Sequence, residues 1–396
     1  MAHRTTWLAV SLASALSVVG SASAQSYRDL TLVRNREQPY RSLLQFRGGW
    51  TGVEAEGDTV EDGHAAQDTL AGFVYYHSKD VTRARDWALD MYAGTDGLYA
   101  GLKGDLFRGQ KTQNRLEVYG RPRAFYREGY IQGDKNVVTG QYEGQDFGLR
   151  IGNAQVVEKG LVLDLSAFYR RFGFKTTDDP ATRIDYVIPD DYSAFGGAVT
   201  LEQNTVELDR RLGLPRQGVL WTITAEYERN TSKRVFGFSS GYTSELPTGV
   251  YRGETHLEIY APNGDSGVWE IQVDGGLYDS ADRVIAYRAN RVQGHIWGDG
   301  TLGYRMVFGS SFLLKPLLEV QYSRTLDLTG VSNKQKVYWG GGLSMSWIFS
   351  ANLALVMDYS YVNNPSRGYV GIEHDYYGEH QFFVGMDVLF GSGGGR

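Results

Sequence analysis

Glu254, His256 and Glu258 occupy every second position of one short stretch. On a strand that spacing puts three ligand-type side chains on one face, where they could hold a metal or pass a proton. The commoner role of such a trio is a solvated charge ladder. His77 beside Ser78 hints at a hydrolase couple, but adjacent strand residues point to opposite faces. His374, Asp375, Glu379 and His380 crowd one polar segment without the fixed spacing of a zinc site. The acidic run Glu54, Glu56, Asp58, Glu61 and Asp62 lacks the ligand order of a calcium loop. With no Cys in 396 residues, disulfide frameworks, thiolate metal sites and thiol catalysis are excluded. No catalytic, cofactor-binding or metal-ligating residue is assigned, and an enzyme is disfavoured.

A second set of charges is more suggestive. Arg115, Arg121, Arg150 and Arg170 recur in the first half of the chain. Glu226, Glu228, Glu254, Glu258, Glu270, Asp274, Glu319 and Asp358 recur in the second. With His256, these are the candidate pore-lining residues. A passage with one basic and one acidic wall carries a transverse field that orients a polar solute. The bland alternative is that Arg and Glu pair and fill the interior. Tyr119, Tyr260 and Tyr338 would suit a sugar-stacking path.

The elements that carry these charges alternate with a period of two. Val219, Trp221, Ile223, Ala225 and Tyr227 interleave with Thr222, Thr224, Glu226 and Glu228. Trp269, Ile271, Val273 and Leu277 interleave with Glu270, Gln272 and Asp274. Val337, Trp339, Leu343, Met345, Trp347 and Phe349 alternate with Gly and Ser. Such strands need an apolar medium on one side only. The chain has 50 Gly and 27 Tyr against 9 Pro, a balance suited to barrel strands with aromatic girdles. A net charge of −6 with both signs interspersed gives no reason to expect nucleic acid.

The start of the chain supplies the context. His3 and Arg4 precede an apolar run from Trp7 to Val19, followed by Ala22-Ser23-Ala24. This pattern predicts a signal peptide over 1–24, cleaved before Gln25. Residues 25–40 read as a short periplasmic lead-in or plug, 41–390 as the barrel and 391–396 as a flexible Gly-rich tail. The expected fold is all-β: a transmembrane, antiparallel, up-and-down barrel of 16 or 18 strands. Polar stretches at 54–67, 176–193, 230–250, 326–335 and 363–379 suit outer loops. Asn263-Gly264-Asp265 and Ser350-Ala351-Asn352 suit tight periplasmic turns.

Two resemblances sharpen this. The closing segment from Ser350 through Asp358-Tyr359-Ser360-Tyr361 to His380-Gln381-Phe382 is similar to the last strands of bacterial outer-membrane barrels, including porins and export channels for capsule and exopolysaccharide. The stretch 206–218, with Asp209-Arg210 and Pro215-Arg216-Gln217-Gly218, resembles a hairpin of BamA-type assembly barrels, although no room precedes it for that family's periplasmic repeat domains. The resemblances imply an outer-membrane location, contact with lipid and lipopolysaccharide, and handling by the barrel-assembly machinery. They imply a transport conduit for polar solute or secreted polymer, with room for exopolysaccharide export and a periplasmic export partner. The alternatives are a reduced BamA-type insertion or translocation barrel, and a structural or adhesive surface barrel.

Phe382, Val384, Met386, Val388 and Phe390 form the apolar face of the last strand and, by the same resemblance, the assembly signal. Replacing Phe390 with Ser should lower the amount of heat-modifiable barrel recovered from outer membranes. Normal assembly of Phe390→Ser would remove the terminal strand from this role.

Overall fold

The computed structural model describes residues 42–56, 69–79, 87–95, 97–104, 112–132, 135–175, 186–209, 212, 214–231, 235–238, 243–245, 248–279, 295–324, 336–350, 352–363 and 375–390. The signal peptide, the lead-in, the Gly-rich tail, His374 and the acidic run beyond Glu56 lie outside them.

Sixteen long strands follow one another. They are β1 Ser42–Glu56, β2 Thr69–Ser78, β3 Trp87–Gly94, β4 Gly97–Gly104, β5 Thr112–Gln132, β6 Lys135–Glu158, β7 Leu161–Lys175 and β8 Tyr192–Asn204. The second half has β9 Pro215–Asn230, β10 Gly249–Asn263, β11 Gly267–Tyr278, β12 Ile296–Phe308, β13 Phe312–Arg324, β14 Lys336–Ser350, β15 Leu353–Val362 and β16 Asp375–Phe390. Each pairs antiparallel with its neighbours in sequence. β16 pairs back onto β1 from Ser42↔Phe390 to Glu56↔Asp375. The barrel is closed, with sixteen strands rather than eighteen.

Burial is inverted relative to a water-soluble protein. Ile223, Leu318 and Trp339 are 54%, 63% and 66% exposed, whereas Glu228 and Gln321 are 1% and 0% exposed. The apolar face looks outward and the polar face inward, as lipid demands. The parity read from sequence holds on the closing strand: Phe382, Val384, Met386 and Phe390 are exposed, Val388 is half-buried, and Phe383 and Gln381 between them are buried.

The two ends of the barrel differ. β1 begins and β16 finishes at the end where the connections are mostly short, including 159–160, 264–266, 309–311 and 351–352. The opposite end carries 57–68, 176–191, 231–248, 279–295, 325–335 and 363–374. Short periplasmic turns and long outer loops are the general asymmetry of such barrels, so the termini are periplasmic. Both tight links named from sequence fall at the periplasmic end. The polar stretches fall at the outer end, and 279–295 is an outer connection that polarity did not flag.

Two departures from a plain cylinder matter. Short strands at Tyr186–Val187, Val235–Phe238 and Thr243–Glu245 form a three-stranded sheet from the β7–β8 and β9–β10 connections. The β5–β6 hairpin is the longest in the barrel. Register shifts at Arg121/Ala124 and Glu128/Gly129 bend it, because a bulge adds a residue to one strand only. Its tip reaches β16, where Lys135 pairs with Asp375. The hairpin therefore spans, at the outer rim, the arc occupied by β1 to β4.

At the periplasmic end, the segment that resembles an assembly-barrel hairpin is the β8–β9 turn. Asp209 accepts a hydrogen bond from the Leu212 amide at 3.0 Å and pairs with Arg216 at 3.3 Å. Gly218 sits at φ +113° with its α-carbon against the Thr205 backbone, so a side chain there would be strained and obstructed.

Closure is directly testable in this Cys-free chain. Leu44 and Val388 are cross-strand partners at the β1–β16 seam, within the span a disulfide bridges. The pair Leu44→Cys/Val388→Cys should form an intramolecular disulfide on oxidation, read as a mobility shift on non-reducing gels. An open seam would leave both thiols free to alkylate.

Candidate functional site: the charged inner wall

The inward positions of β5 to β10 are joined by ion pairs that run along the wall. The Arg115 guanidinium pairs with Glu117 at 3.1 Å and with Asp164 at 2.8 Å. Arg170 pairs with Glu226 at 2.8 Å and with Glu228 at 2.7 Å, and its Nε donates to the Tyr119 hydroxyl at 3.0 Å. Arg150 reaches Glu226 at 2.9 Å. Arg252 reaches Glu226 at 3.2 Å and Glu228 at 3.1 Å. Arg121 pairs with Asp146 on the next strand. The Arg170 guanidinium also lies 4.3 Å from the centroid of the Phe168 ring, a cation–π contact.

Several of these pairs skip a strand, and small residues make that reach feasible. Arg115 on β5 is opposite Gly152 on β6, which is opposite Ser166 on β7. A β-carbon at Gly152 would come within 2.7 Å of the Arg115 guanidinium. The absent side chain lets Arg115 lie across β6 and meet Asp164 on β7.

The sector from β10 to β16 is arranged differently. His256 sits between Asp274, 2.8 Å from Nδ1, and Glu258, 2.9 Å from Nε2. Tyr260 donates to Glu258 at 2.8 Å and Gln272 to Asp274 at 2.8 Å. Glu254 does not join His256 but accepts from the Tyr278 hydroxyl at 2.7 Å. Glu270 holds both Arg305 and Lys315 at 3.1 Å. The Gln321 amide donates to Glu319 and, at 3.4 Å, to Asp299. Gln381 donates to Glu379 at 2.5 Å. Asp358 is half-buried on β15, opposite Ser344 of β14.

A third sector, β1 to β5, is aromatic. Tyr75, Tyr92, Tyr99 and Tyr119 lie in one lateral row of cross-strand partners, packed with Leu43, Phe73 and Leu389. Behind them His77 Nδ1 meets Asp90 at 2.6 Å, and Lys103 meets the same carboxylate at 3.3 Å. Ser78 hydrogen-bonds with Ser42 at 3.0 Å rather than with His77, so the sequence pair is not a nucleophile–base couple. Among the described residues no group of three or more His, Asp or Glu has metal-binding geometry.

No protein-family model and no curated protein matches this chain. Solved structures do. CdiB from Acinetobacter baumannii superposes with a TM-score of 0.51 at 8% identity, over 88% of this chain and 60% of CdiB. BamA from Haemophilus ducreyi, lacking its first three POTRA domains, gives 0.49 at 11% identity over 98% and 79% of the two chains. A bacterial polysaccharide outer-membrane secretin gives 0.43 at 9% identity over 89% and 100%. The chain is a sixteen-stranded outer-membrane β-barrel. At these identities the likeness is one of fold.

Each residue singled out from sequence can now be placed in that barrel. Arg115, Arg170, Glu226, Glu228, His256, Glu258 and Glu319 are buried, and Arg121, Arg150, Glu254, Glu270, Asp274 and Asp358 are half-buried. The arginines are neutralised by carboxylates along their own wall, so the simple picture of a basic wall facing an acidic one gives way to paired ladders. Tyr119, Tyr260 and Tyr338 stand on β5, β10 and β14, strands that are not neighbours, and form no continuous path. Sequence reasoning missed Glu117, Asp164 and Arg252, which share strand parity with residues it named, and Glu202 and Asp299, on strands where it named none. That parity was the available signal.

Arg170 is the hub of the ladder: without it Glu226 keeps Arg150 and Arg252, and the buried Glu228 keeps Arg252 alone. Arg170→Ala should destabilise the folded barrel by up to about 3–5 kcal/mol, the usual cost of breaking a buried pair from one side. Urea titration in detergent reads this out. Arg170→Lys, which keeps a positive charge beside both carboxylates without the guanidinium fork, should lose less, which a general folding defect would not allow.

Proposed function

We propose that this barrel is a passive conduit for polar solutes across the outer membrane and that it carries out no covalent chemistry. The observation that supports this best is the inner wall itself. Its charges are immobilised on the barrel by one another, as in the Arg115–Asp164 and Arg170–Glu228 pairs. That lines the interior with fixed polar groups, and sixteen-stranded barrels with polar interiors ordinarily enclose water. Inward-facing Gln272 is exposed and the Asp274 carboxylate is 22% exposed, in keeping with water in the β10–β16 sector.

The assembly-barrel alternative calls for a seam that can part. Here β1 pairs with β16 along its entire length, which favours the conduit. Passage of an exopolysaccharide would call for exposed aromatic faces. Tyr119 and Tyr338 are buried instead, and Tyr260 is half-buried and bonded to Glu258. Small polar solutes fit this wall better than a polymer, and a periplasmic partner is not needed for them. The β5–β6 hairpin would restrict entry from outside, since its tip pairs with β16.

Reconstitution in planar bilayers tests the reading. The purified barrel should give stable, stepwise ion conductance. Shortening the hairpin by replacing residues 126–141 with a two-residue turn should raise the unit conductance. A silent barrel that remains folded by heat-modifiability would overturn the conduit.

A further inference from the structure

We infer that the conduit prefers cations over anions, with the preference set by the β10–β16 sector of the wall; this rests on the conduit reading above. The charges of the two sectors differ in kind. On β5 to β9, arginines and carboxylates alternate, and ion pairs match them closely: Arg115 with Glu117 and Asp164, Arg121 with Asp146, Arg150 with Glu226, and Arg170 with Glu226 and Glu228. Such a wall presents little net potential to a solute.

Among the residues from β10 onward whose side chains the structure describes, the inward-facing Lys and Arg are Arg252, Arg305 and Lys315. Arg252 leans back to Glu226 and Glu228, and the other two bracket Glu270. The same sector also carries inward-facing Glu254, Glu258, Asp274, Asp299, Glu319, Asp358 and Glu379, beside the imidazole of His256. The wall's own charge here is strongly negative whatever hydrogen bonds its members make.

The register adds an independent reason for counter-ions. Asp274 of β11 and Asp299 of β12 are direct cross-strand partners, and like charges directly opposite one another destabilise a sheet. In the next interval, Asp299 and Glu319 both accept from the Gln321 amide. Mobile cations would offset this repulsion, and anions would add to it. Solutes in the lumen stay within about a Debye length of the wall, roughly 8–10 Å at physiological ionic strength, so screening leaves much of the field in place. Charged side-chain rings set selectivity in other pores by the same physics. The permeant class is therefore small inorganic or organic cations. An acidic polymer would be repelled.

The test is the zero-current potential of the full-length mature barrel in a planar bilayer of neutral lipid under a KCl gradient. Cation preference is expected, with K⁺ several-fold more permeant than Cl⁻. Folded channels that conduct but favour Cl⁻, or favour neither ion, would sink this inference and leave the conduit standing. The absence of any conductance would sink the conduit itself. Two variants locate the source: Glu254→Gln/Asp274→Asn and Asp299→Asn/Asp358→Asn, each removing half-buried carboxylates with near-isosteric amides. Each should lower the K⁺/Cl⁻ ratio, and the two together should lower it further. If either folded pair left the ratio at the wild-type value, and the combined variant did too, the selectivity would not come from this sector. The wild-type potential needs no variant to fold.

Discussion

Everything in this molecule depends on one constraint: in hydrocarbon, a backbone N–H or C=O without a partner costs several kcal/mol. An open sheet would expose two such edges. Pairing β16 with β1 removes both and fixes the strand number, the up-and-down order and the identity of the two faces. Closure also imposes the inversion of burial, since each strand must show lipid its apolar side. The short β3–β4 hairpin and the long β5–β6 hairpin are then variations in height on one closed cylinder.

Closure creates a second problem, which the side chains solve. A polar interior made of long charged side chains would be floppy unless each group were tied down. Arg115, Arg170 and Arg252 are each anchored through two of the carboxylates Glu117, Asp164, Glu226 and Glu228, and Arg150 through Glu226. Planar guanidinium groups suit this, because each presents several donors in a fixed fork. Taking such ions out of bulk water carries a desolvation cost that one partner seldom offsets, while a network of partners does better. The glycine at 152 matters for the same reason, as it allows a five-donor group to reach across a neighbouring strand.

Fold was legible because a period of two is a local property. The alternation at 219–228 and at 269–277 specified which side chains face lipid without any knowledge of their neighbours. Strand parity also picked Glu226, Glu228, Glu258 and Glu319 as inward-facing, and they are buried. What parity cannot give is register. Whether Arg150 meets Glu226 depends on how β6, β7, β8 and β9 slide against one another, and a shift of two residues would preserve every face while changing every pair. This is why single-sign walls were expected where the structure has ladders. The trio at 254–258 failed for a related reason: His256 found Asp274 across the strand gap, and Glu254 turned to Tyr278. The bent β5–β6 hairpin was invisible because its bulges interrupt the alternation that revealed the other strands.

The asymmetry around the circumference follows from these two levels together. On the β2–β5 side, tyrosines pack into a continuous row, with Tyr75 and Tyr99 donating to Asp90 and Glu117, so that wall is thick and its polar groups are satisfied internally. The β5–β9 wall is charged but balanced. On β14 the inward parity is held by Gly340, Gly342, Ser344 and Ser346, with Ser344 opposite Asp358 of β15. These small residues offer the acidic side chains of the β10–β16 arc no basic partner, so that arc compensates its carboxylates less than the β5–β9 arc does. The three arcs differ in how their polar groups are matched, while strand parity turns all of them inward alike.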